Sequence, residues 1–155
     1  MKKIQLSNSE KIAIVDDSVF TLLSAFTWNI NGAGYAGAWI GGKQIFLHRF
    51  IIGAKKGDEV DHVNGNKMDC RMVNLRCCTH SQNIANEGPR KHNKLGIKGV
   101  DYRASSNKFR ATIRVNYKKI HIGLYDTAEE AKIAYNEAAI KHFGEFSYQN
   151  VVEVL

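Results

Sequence analysis

Apolar and polar residues alternate in short runs along the first third of the chain, which predicts a small β-rich unit. Strand-like runs bounded by Asp, Asn or Gly occupy residues 11–15, 35–40 and 43–47. The Gly41-Gly42 pair between the last two runs indicates a hairpin turn. Apolar residues recur at helical spacing between the first two runs, at Val19, Leu22, Leu23 and Phe26. We expect the core of this unit to contain Trp28, Trp39 and Phe46.

The middle of the chain has the order strand, turn, strand and helix. The predicted elements are strands at residues 60–63 and 75–79, a turn at residues 64–65 and a helix that starts over residues 81–86. This order places Asp61 and His62 on a strand and Asn83 on the helix. A hairpin followed by a helix can bring three such side chains around one ion.

The last third of the chain predicts three strands and then one helix. The strands span residues 97–103, 109–115 and 119–125, with polar turn residues between them. Thr127 and Glu130 have the spacing of a capping box, so a helix begins there, and Gly144 ends it. Residues on one face of the helix are mostly small, namely Ala131, Ala134, Tyr135, Ala138 and His142. Small side chains would let the helix lie close to the sheet.

Together these patterns predict an α+β protein with two domains. The first domain, residues 1–87, joins the β-rich unit to the strand–strand–helix segment. Residues 88–95 form a basic linker that contains Pro89, the one proline of the chain. The second domain, residues 96–150, is a three-stranded antiparallel sheet with one packed helix, and residues 151–155 form a tail.

Length and composition indicate a cytoplasmic protein that needs no membrane. At 155 residues and 44% hydrophobic content, the chain is long enough for one domain or two small ones. No apolar run approaches the roughly 18 residues that span a bilayer, and the residues after Met1 lack the apolar segment of a secretory signal. The three cysteines are Cys70, Cys77 and Cys78. Their odd number and lack of paired spacing argue against a disulfide scaffold and favour a reducing compartment.

The positive charge is concentrated in one part of the chain. The formal net charge is +7, but residues 87–125 alone hold ten Lys or Arg against two Asp or Glu, a net charge of +8. Residues 126–155 hold two basic and six acidic residues, a net charge of −4. A basic block interleaved with aromatic and β-branched residues favours a polyanionic partner, most simply the phosphate backbone of double-stranded DNA.

The chemistry of the chain is concentrated at Asp61-His62. A carboxylate binds a hard divalent cation, and an imidazole accepts a proton near neutral pH. Two asparagines follow His62 at 12 and 21 residues, namely Asn74 and Asn83. This set of groups suits hydrolysis of a phosphodiester, in which a metal neutralises the phosphate and a base activates water.

At these residues the sequence resembles the HNH endonucleases, in particular the phage-type homing enzymes whose motif begins with Asp-His. The resemblance covers about residues 10–87. Its motifs are residues 60–66 (Val-Asp-His-Val-Asn-Gly-Asn), residues 74–76 (Asn-Leu-Arg), Gln82-Asn83 and the preceding segment of residues 47–53. The family implies a ββα-metal fold, also called a His-Me finger. It also implies a protein of phage type acting in the host cytoplasm.

The same resemblance implies a role for each motif residue. His62 would be the general base, and Asn74 would hold His62 in orientation. Asp61 and Asn83 would bind one Mg²⁺ or Mn²⁺ ion per active site. No organic cofactor is implied. Considered by its own chemistry, the Asn74 amide could fix either a ring or a loop. His48 could touch DNA near the site or cap a local strand, and we expect the second.

Residues 96–150 resemble the Apetala/ethylene-response-factor DNA-binding domain. The motifs that carry the resemblance are residues 96–100 (Gly-Ile-Lys-Gly-Val), 109–111 (Phe-Arg-Ala), 120–125 (Ile-His-Ile-Gly-Leu-Tyr) and 127–131 (Thr-Ala-Glu-Glu-Ala). The family implies a sheet laid in the major groove with a helix behind it. Positions that match its DNA contacts are Lys98, Arg103, Arg114, Lys119 and His121. Strand alternation adds Arg110 as a separate candidate.

The resemblances leave the sequence preference and the activity open. Asp101 and Thr112 stand where the plant domains carry a contacting Arg and a Glu, so their target preference cannot be transferred. A chain that is a monomer with one active site would most simply nick one strand. One alternative is a sequence-specific DNA-binding protein or regulator with a decayed nuclease domain. Another is an RNA nuclease, although a wide basic sheet with few exposed aromatic residues suits duplex grooves better.

Overall fold

The computed structural model describes residues 1–152 and contains two compact units. The first unit comprises Met1–Thr79, and the second begins at His80. The division falls just before a short helix that carries Asn83, and not within residues 88–95. Each unit has its own hydrophobic core, and the α+β class predicted from the sequence is confirmed.

The first unit consists of three small antiparallel sheets and two short helices. In chain order its elements are β1 (Lys2–Gln5), β2 (Ile12–Val15), α1 (Asp17–Leu23), β3 (Asn29–Ile30), β4 (Ala36–Ile40), β5 (Lys43–Phe46), α2 (Leu47–Ile52), β6 (Glu59–His62) and β7 (Leu75–Cys78). The sheets are β1-β2, β3-β4-β5 and β6-β7. A short 3-10 turn, Met72–Asn74, leads into β7.

Trp28 is the largest fully buried side chain in the core of the first unit. It is 1% exposed, and its indole N–H donates to the carbonyl of Leu23 at 2.8 Å. The same core contains side chains from β2, α1, α2 and the loop before β7, among them Val15, Leu23, Leu47 and Cys70. The expectation for Trp39 is wrong, because its side chain is 73% exposed on the outward face of β4.

The second unit begins with a helix and continues as a three-stranded sheet covered by a longer helix. Its elements are α3 (His80–Asn86), β8 (Val100–Arg103), β9 (Lys108–Val115), β10 (Lys118–Tyr125) and α4 (Ala128–Phe143). The sheet is antiparallel in the order β10-β9-β8, so β9 is central. The predicted capping box is present, since Thr127 accepts from the backbone N–H of Glu130 and Glu130 accepts from that of Thr127.

The core of the second unit is thin because small residues face each other across it. Ala111 and Ile113 of β9 pack against Ala131, Tyr135 and Ala139 of α4. The predicted close approach is therefore confirmed for Ala131, Tyr135 and Ala138. His142, which was placed on the same face, is exposed.

Gly99, directly before β8, lies where Tyr135 of α4 comes close to the backbone of the sheet. Its φ is +75°, and a Cβ atom there would lie 2.2 Å from the Tyr135 ring and 2.7 Å from the carbonyl oxygen of Thr112. Glycine is therefore required at this position both for the backbone conformation and for the space.

None of the helices within residues 1–152 is both long and apolar enough to cross a bilayer.

Candidate functional site

The β6-β7 hairpin places the Asp-His pair at the end of a strand. Asp61 pairs with Arg76 across the hairpin, and His62 pairs with Leu75. Asp61 is 6% exposed and His62 is 5% exposed, so both polar side chains are buried. Polar groups at this depth require partners, and those of Asp61 and His62 define the chemistry of the site.

The carboxylate of Asp61 is bound by Arg76. Two nitrogens of the guanidinium, Nε at 2.9 Å and a terminal nitrogen at 2.7 Å, donate to the same oxygen, Oδ2. The two side chains are only 7% and 13% exposed, so this ion pair is shielded from solvent. Charge-assisted bonds of this kind fix the orientation of the carboxylate. A metal ion at Asp61 would therefore share the carboxylate with an existing positive charge.

The His62 imidazole lies in an aromatic pocket within the first unit. The ring centre of His48 is 5.1 Å from that of His62, and the ring centre of Tyr35 is 6.1 Å away. Burial lowers the pKa of His62 below its ordinary value of 6.5, and the neighbouring Asp61 carboxylate opposes this effect. The imidazole is therefore neutral at neutral pH, which is the form that can accept a proton.

His48 forms one wall of this pocket. It is the second residue of α2, is 6% exposed, and lies against both Tyr35 at 4.9 Å and Phe46 at 6.0 Å between ring centres. Burial lowers the pKa of His48 to about 4, and the neighbouring His62, a second group that becomes positive on protonation, is the next cause. Its Nδ1 has no hydrogen-bond partner within the described part of the chain. The expectation that His48 caps a strand is wrong, because it sits on a helix beside His62.

Asn74 fixes the loop between β6 and β7. Its side-chain N–H₂ donates to the carbonyl of Asp69 at 2.8 Å, and its side-chain oxygen accepts from the backbone N–H of Asn64 at 3.0 Å. Its backbone carbonyl accepts from Val63 at 2.9 Å. Both ends of the amide are thus bound to the loop, which agrees with the loop-fixing alternative. The side-chain hydrogen bonds of Asn74 are therefore made to this loop, and its predicted role in orienting His62 stays a prediction.

Asn83 lies on α3, in the second compact unit. Its predicted role as a metal ligand beside Asp61 stays a prediction. No three His, Cys, Asp or Glu side chains gather as a metal cluster within residues 1–152. A cation in the proposed site would therefore have few ligands from the protein and several from water or phosphate.

The sheet of the second unit has a polar face opposite α4. Successive residues of each strand face this polar side and the core side in turn. Residues that pair across neighbouring strands lie on the same side. The residues on the polar face are Asp101, Arg103, Lys108, Arg110, Thr112, Arg114, Lys119, His121 and Leu124. Five of the six predicted DNA contacts, all except Lys98, are therefore found on one surface, here called the outer face.

Lys98 precedes β8 and its side chain points elsewhere. Its ammonium donates to three backbone carbonyls at the C-terminal end of α3, those of Ile84, Ala85 and Glu87. Its assignment as a DNA contact rested on the match to the family motif, and that motif does not show the direction of the side chain.

Asp101 is the acidic residue of the outer face, and it joins two of the candidate arginines. Its Oδ1 is 3.2 Å from Nε of Arg103, and its Oδ2 is 2.7 Å from a terminal nitrogen of Arg110. One carboxylate therefore sets the direction of two guanidinium groups. It also reduces the positive charge that the outer face presents to a phosphate backbone.

We expect Asp101→Asn to tighten binding to duplexes of any sequence. The change frees Arg103 and Arg110 for phosphates and removes one negative charge, so the dependence of log affinity on log salt should steepen by about one ion. Fluorescence anisotropy with two unrelated duplexes over a salt series measures this. Glu137→Gln on the exposed side of α4 makes the same charge change away from the outer face and serves as the control. Equal effects of both variants would show that only net charge matters.

Comparison with known proteins finds a different family in each of two parts of the chain. A family model described as HNH endonuclease matches residues 46–85, and an AP2 domain model matches residues 95–145. The chain is 31% identical over 147 residues to an uncharacterized HNH endonuclease of Acanthamoeba polyphaga mimivirus, an alignment that covers 91% of this chain and 75% of the relative. No solved structure matches the chain.

Proposed function

Because this chain belongs to the HNH endonuclease family, we propose that it is a metal-dependent enzyme of homing type that cuts double-stranded DNA. We further propose that it acts as a monomer, nicks one strand, and is directed to its target by the outer face of the AP2 domain. The observation that carries the proposal is the buried His62 imidazole, held neutral beside the Asp61 carboxylate on one hairpin. A neutral imidazole beside a hard anionic ligand suits hydrolysis of a phosphodiester.

In the proposed reaction, His62 removes a proton from a water molecule that attacks the phosphorus. The new bond joins the water oxygen to phosphorus, and the bond from phosphorus to the 3′ oxygen breaks. The electron pair stays with the 3′ oxygen, which takes a proton from solvent. His48 and Tyr35 keep the His62 ring in place and exclude bulk water from it.

Asp61 and Asn83 would hold the cation, one Mg²⁺ or Mn²⁺. Carboxylate and amide oxygens are hard donors, so the residues fit such an ion. The chemistry supplied by the ion when bound is neutralisation of charge on the phosphate and the leaving oxygen. Arg76 already compensates part of the Asp61 charge, so we expect the affinity of the free protein for Mg²⁺ to be modest.

We expect Asp61→Asn and Asn83→Ala each to raise the Mg²⁺ concentration that gives half-maximal cleavage. Loss of even an outer-shell partner of a metal typically costs about 10–100-fold in affinity, so loss of a ligand should cost at least about tenfold. Cleavage rates over a Mg²⁺ titration at saturating DNA measure the shift. Asp17→Asn removes an exposed carboxylate that pairs with the N-terminus, and it should leave the titration unchanged. Unchanged curves for both site variants would place the ion elsewhere.

The decisive experiment on the function is a plasmid assay with Mg²⁺ and with a chelator. Supercoiled plasmid should become nicked circles in Mg²⁺ and stay intact with the chelator. Accumulation of linear product before nicked circles would contradict the proposed nicking. Intact plasmid in both Mg²⁺ and Mn²⁺, with a target-containing duplex also uncut, would reject the nuclease.

One observation favours a second candidate, a DNA-binding regulator without activity. The Arg76 guanidinium occupies Oδ2 of Asp61, the residue assigned to the metal. In a decayed nuclease this ion pair would be permanent. Arg76→Gln separates the two candidates. In an enzyme it should increase the affinity for Mg²⁺, whereas in a regulator it should produce no DNA cleavage.

A further inference from the structure

The C-terminal end of α3 is bound by one lysine side chain from outside the helix. Nζ of Lys98 donates to the carbonyl oxygens of Ile84 at 2.9 Å, Ala85 at 2.6 Å and Glu87 at 2.5 Å. The last carbonyls of a helix have no partners within it, and a cation there also suits the helix dipole. Lys98 therefore caps α3.

This capping role uses all the hydrogen-bonding capacity of Lys98. An ammonium group has three N–H donors, and three carbonyls receive them. Burial lowers the pKa of Lys98 to about 8, against the opposing charge of Glu87. A part-buried ammonium is costly unless its donors are satisfied, so the three carbonyls and the lysine are mutually dependent. No donor remains for a phosphate while this arrangement holds.

The backbone of Lys98 is in turn fixed to α4. Its N–H donates to Oδ1 of Asn150 at 2.8 Å, and its carbonyl accepts from Nδ2 of Asn150 at 3.1 Å. Asn150 and Asn136 of α4 bind each other reciprocally, with each backbone-to-side-chain bond at 2.8 Å. A continuous series of hydrogen bonds therefore joins α4, through Asn136, Asn150 and Lys98, to the end of α3.

A second contact fixes the same turn of α3. The N–H of Tyr148 donates to the carbonyl of Ala85 at 3.0 Å, and Ala85 is 6% exposed. The Tyr148 ring lies 5.6 Å from the Lys98 ammonium. Tyr148 therefore holds the turn that directly follows Asn83 by its backbone, and its ring packs over the lysine that caps the same turn.

The capped helix and the lysine that caps it are matched by different family models. The HNH model ends at residue 85, within α3, and the AP2 model begins at residue 95, before Lys98. We propose that Lys98 is a positioning residue for the nuclease reaction, through which the AP2 domain fixes α3 and thereby Asn83. This inference rests on the proposed function, because Asn83 matters only if it serves the reaction.

The proposal is tested in the full chain by Lys98→Met, which removes the donors but keeps the apolar stem. Lys98→Gln keeps one donor and serves if the first variant folds poorly. Lys98→Arg restores a cation with several donors and should recover much of the lost function. Lys119→Met removes the same charge from an exposed position of the outer face and is the matched control.

The first readout needs neither metal nor DNA. Hydrogen exchange of a peptide that covers α3 should speed up at least about tenfold in Lys98→Met, because loss of the cap frays the last turn. Lys119→Met should leave that exchange unchanged. Unchanged exchange in both variants would overturn the proposal at its first step.

The second readout separates positioning from phosphate binding. Lys98→Met should keep duplex affinity within about twofold and keep its salt dependence, whereas Lys119→Met should reduce the salt slope by about one. At saturating DNA, the cleavage rate should fall at least about tenfold in Lys98→Met, with partial recovery in Lys98→Arg. It should stay unchanged in Lys141→Met, which removes an exposed lysine from the last turn of α4. The opposite pattern, weaker binding with an unchanged rate at saturation, would make Lys98 a phosphate contact and reject the proposal.

Failure of the proposal and failure of the proposed function are distinguishable. If the wild-type chain cuts DNA and Lys98→Met cuts at the same saturated rate despite faster α3 exchange, only the positioning role is rejected. If the wild-type chain binds duplexes but cuts none, the proposed function is rejected, and the role in the reaction falls with it.

Discussion

His62→Ala reduces the rate of DNA cleavage at saturating DNA by about 10²–10⁴-fold, the usual contribution of a positioned general base. The duplex affinity of this variant stays close to that of the wild type, because the outer face of the sheet is untouched. The structural reason is that His62 is buried and neutral on the same strand as Asp61, whereas the neighbouring His48 lies on α2 with its ring centre 5.1 Å away.

Two further variants make this expectation specific. His62→Gln keeps most of the buried volume and tests whether the loss comes from the missing base or from a cavity. His142→Ala removes an exposed histidine near the end of α4 and should cut at the wild-type rate. Single-turnover cleavage and anisotropy on the same duplex measure rate and affinity separately. A rate within about threefold of wild type in His62→Ala would exclude His62 as the base.

Gly99→Ala unfolds the second unit or destabilises it by about 2–5 kcal/mol. A positive φ costs an L-residue about 1–2 kcal/mol, and overpacking a tight core costs about 1–3 kcal/mol more. The added methyl would meet the Tyr135 ring and the Thr112 carbonyl, neither of which can move without shifting α4 or β9.

Gly96→Ala is the matched control for this prediction. Gly96 also has a positive φ, +65°, but a Cβ atom there would meet nothing within 4 Å. It should therefore cost only the backbone strain. Both tryptophans lie in the first unit, at positions 28 and 39, so their fluorescence follows that unit. The far-UV helix signal, to which α4 contributes most, follows the second. Equal losses in both variants would show that packing at Gly99 contributes nothing.

Local patterns sufficed to predict most of the second unit. The capping box at Thr127, the ending of α4 at Gly144 and the alternation along β9 each depend on residues close in sequence. In the first unit, the β4-β5 hairpin followed from its Gly41-Gly42 turn in the same way, whereas β1 and β3 were not predicted. The expectation that Trp39 lies in the core was wrong because hydrophobicity alone does not show which face of a strand packs against the rest of the unit.

The sequence predicted the chemistry at Asp61 and His62 but not its surroundings. The pocket of Tyr35 and His48 joins segments that are distant in sequence, so no spacing rule could find it. Arg76 was visible as part of a motif, but its bond to Asp61 follows from the register of β6 and β7. Lys98 was assigned by position in a motif, and only its side-chain direction shows that it binds α3.

If the outer face binds DNA as proposed, the two-faced sheet of the second unit separates the residues that recognise DNA from those that keep the domain folded. Arg103, Thr112 and His121 alternate with core residues, so replacing them should change stability by only about 0.5 kcal/mol each. Target preference can therefore drift over generations without passing through an unfolded intermediate. For the same reason, a library randomised at these three positions would be a practical route to enzymes with chosen targets.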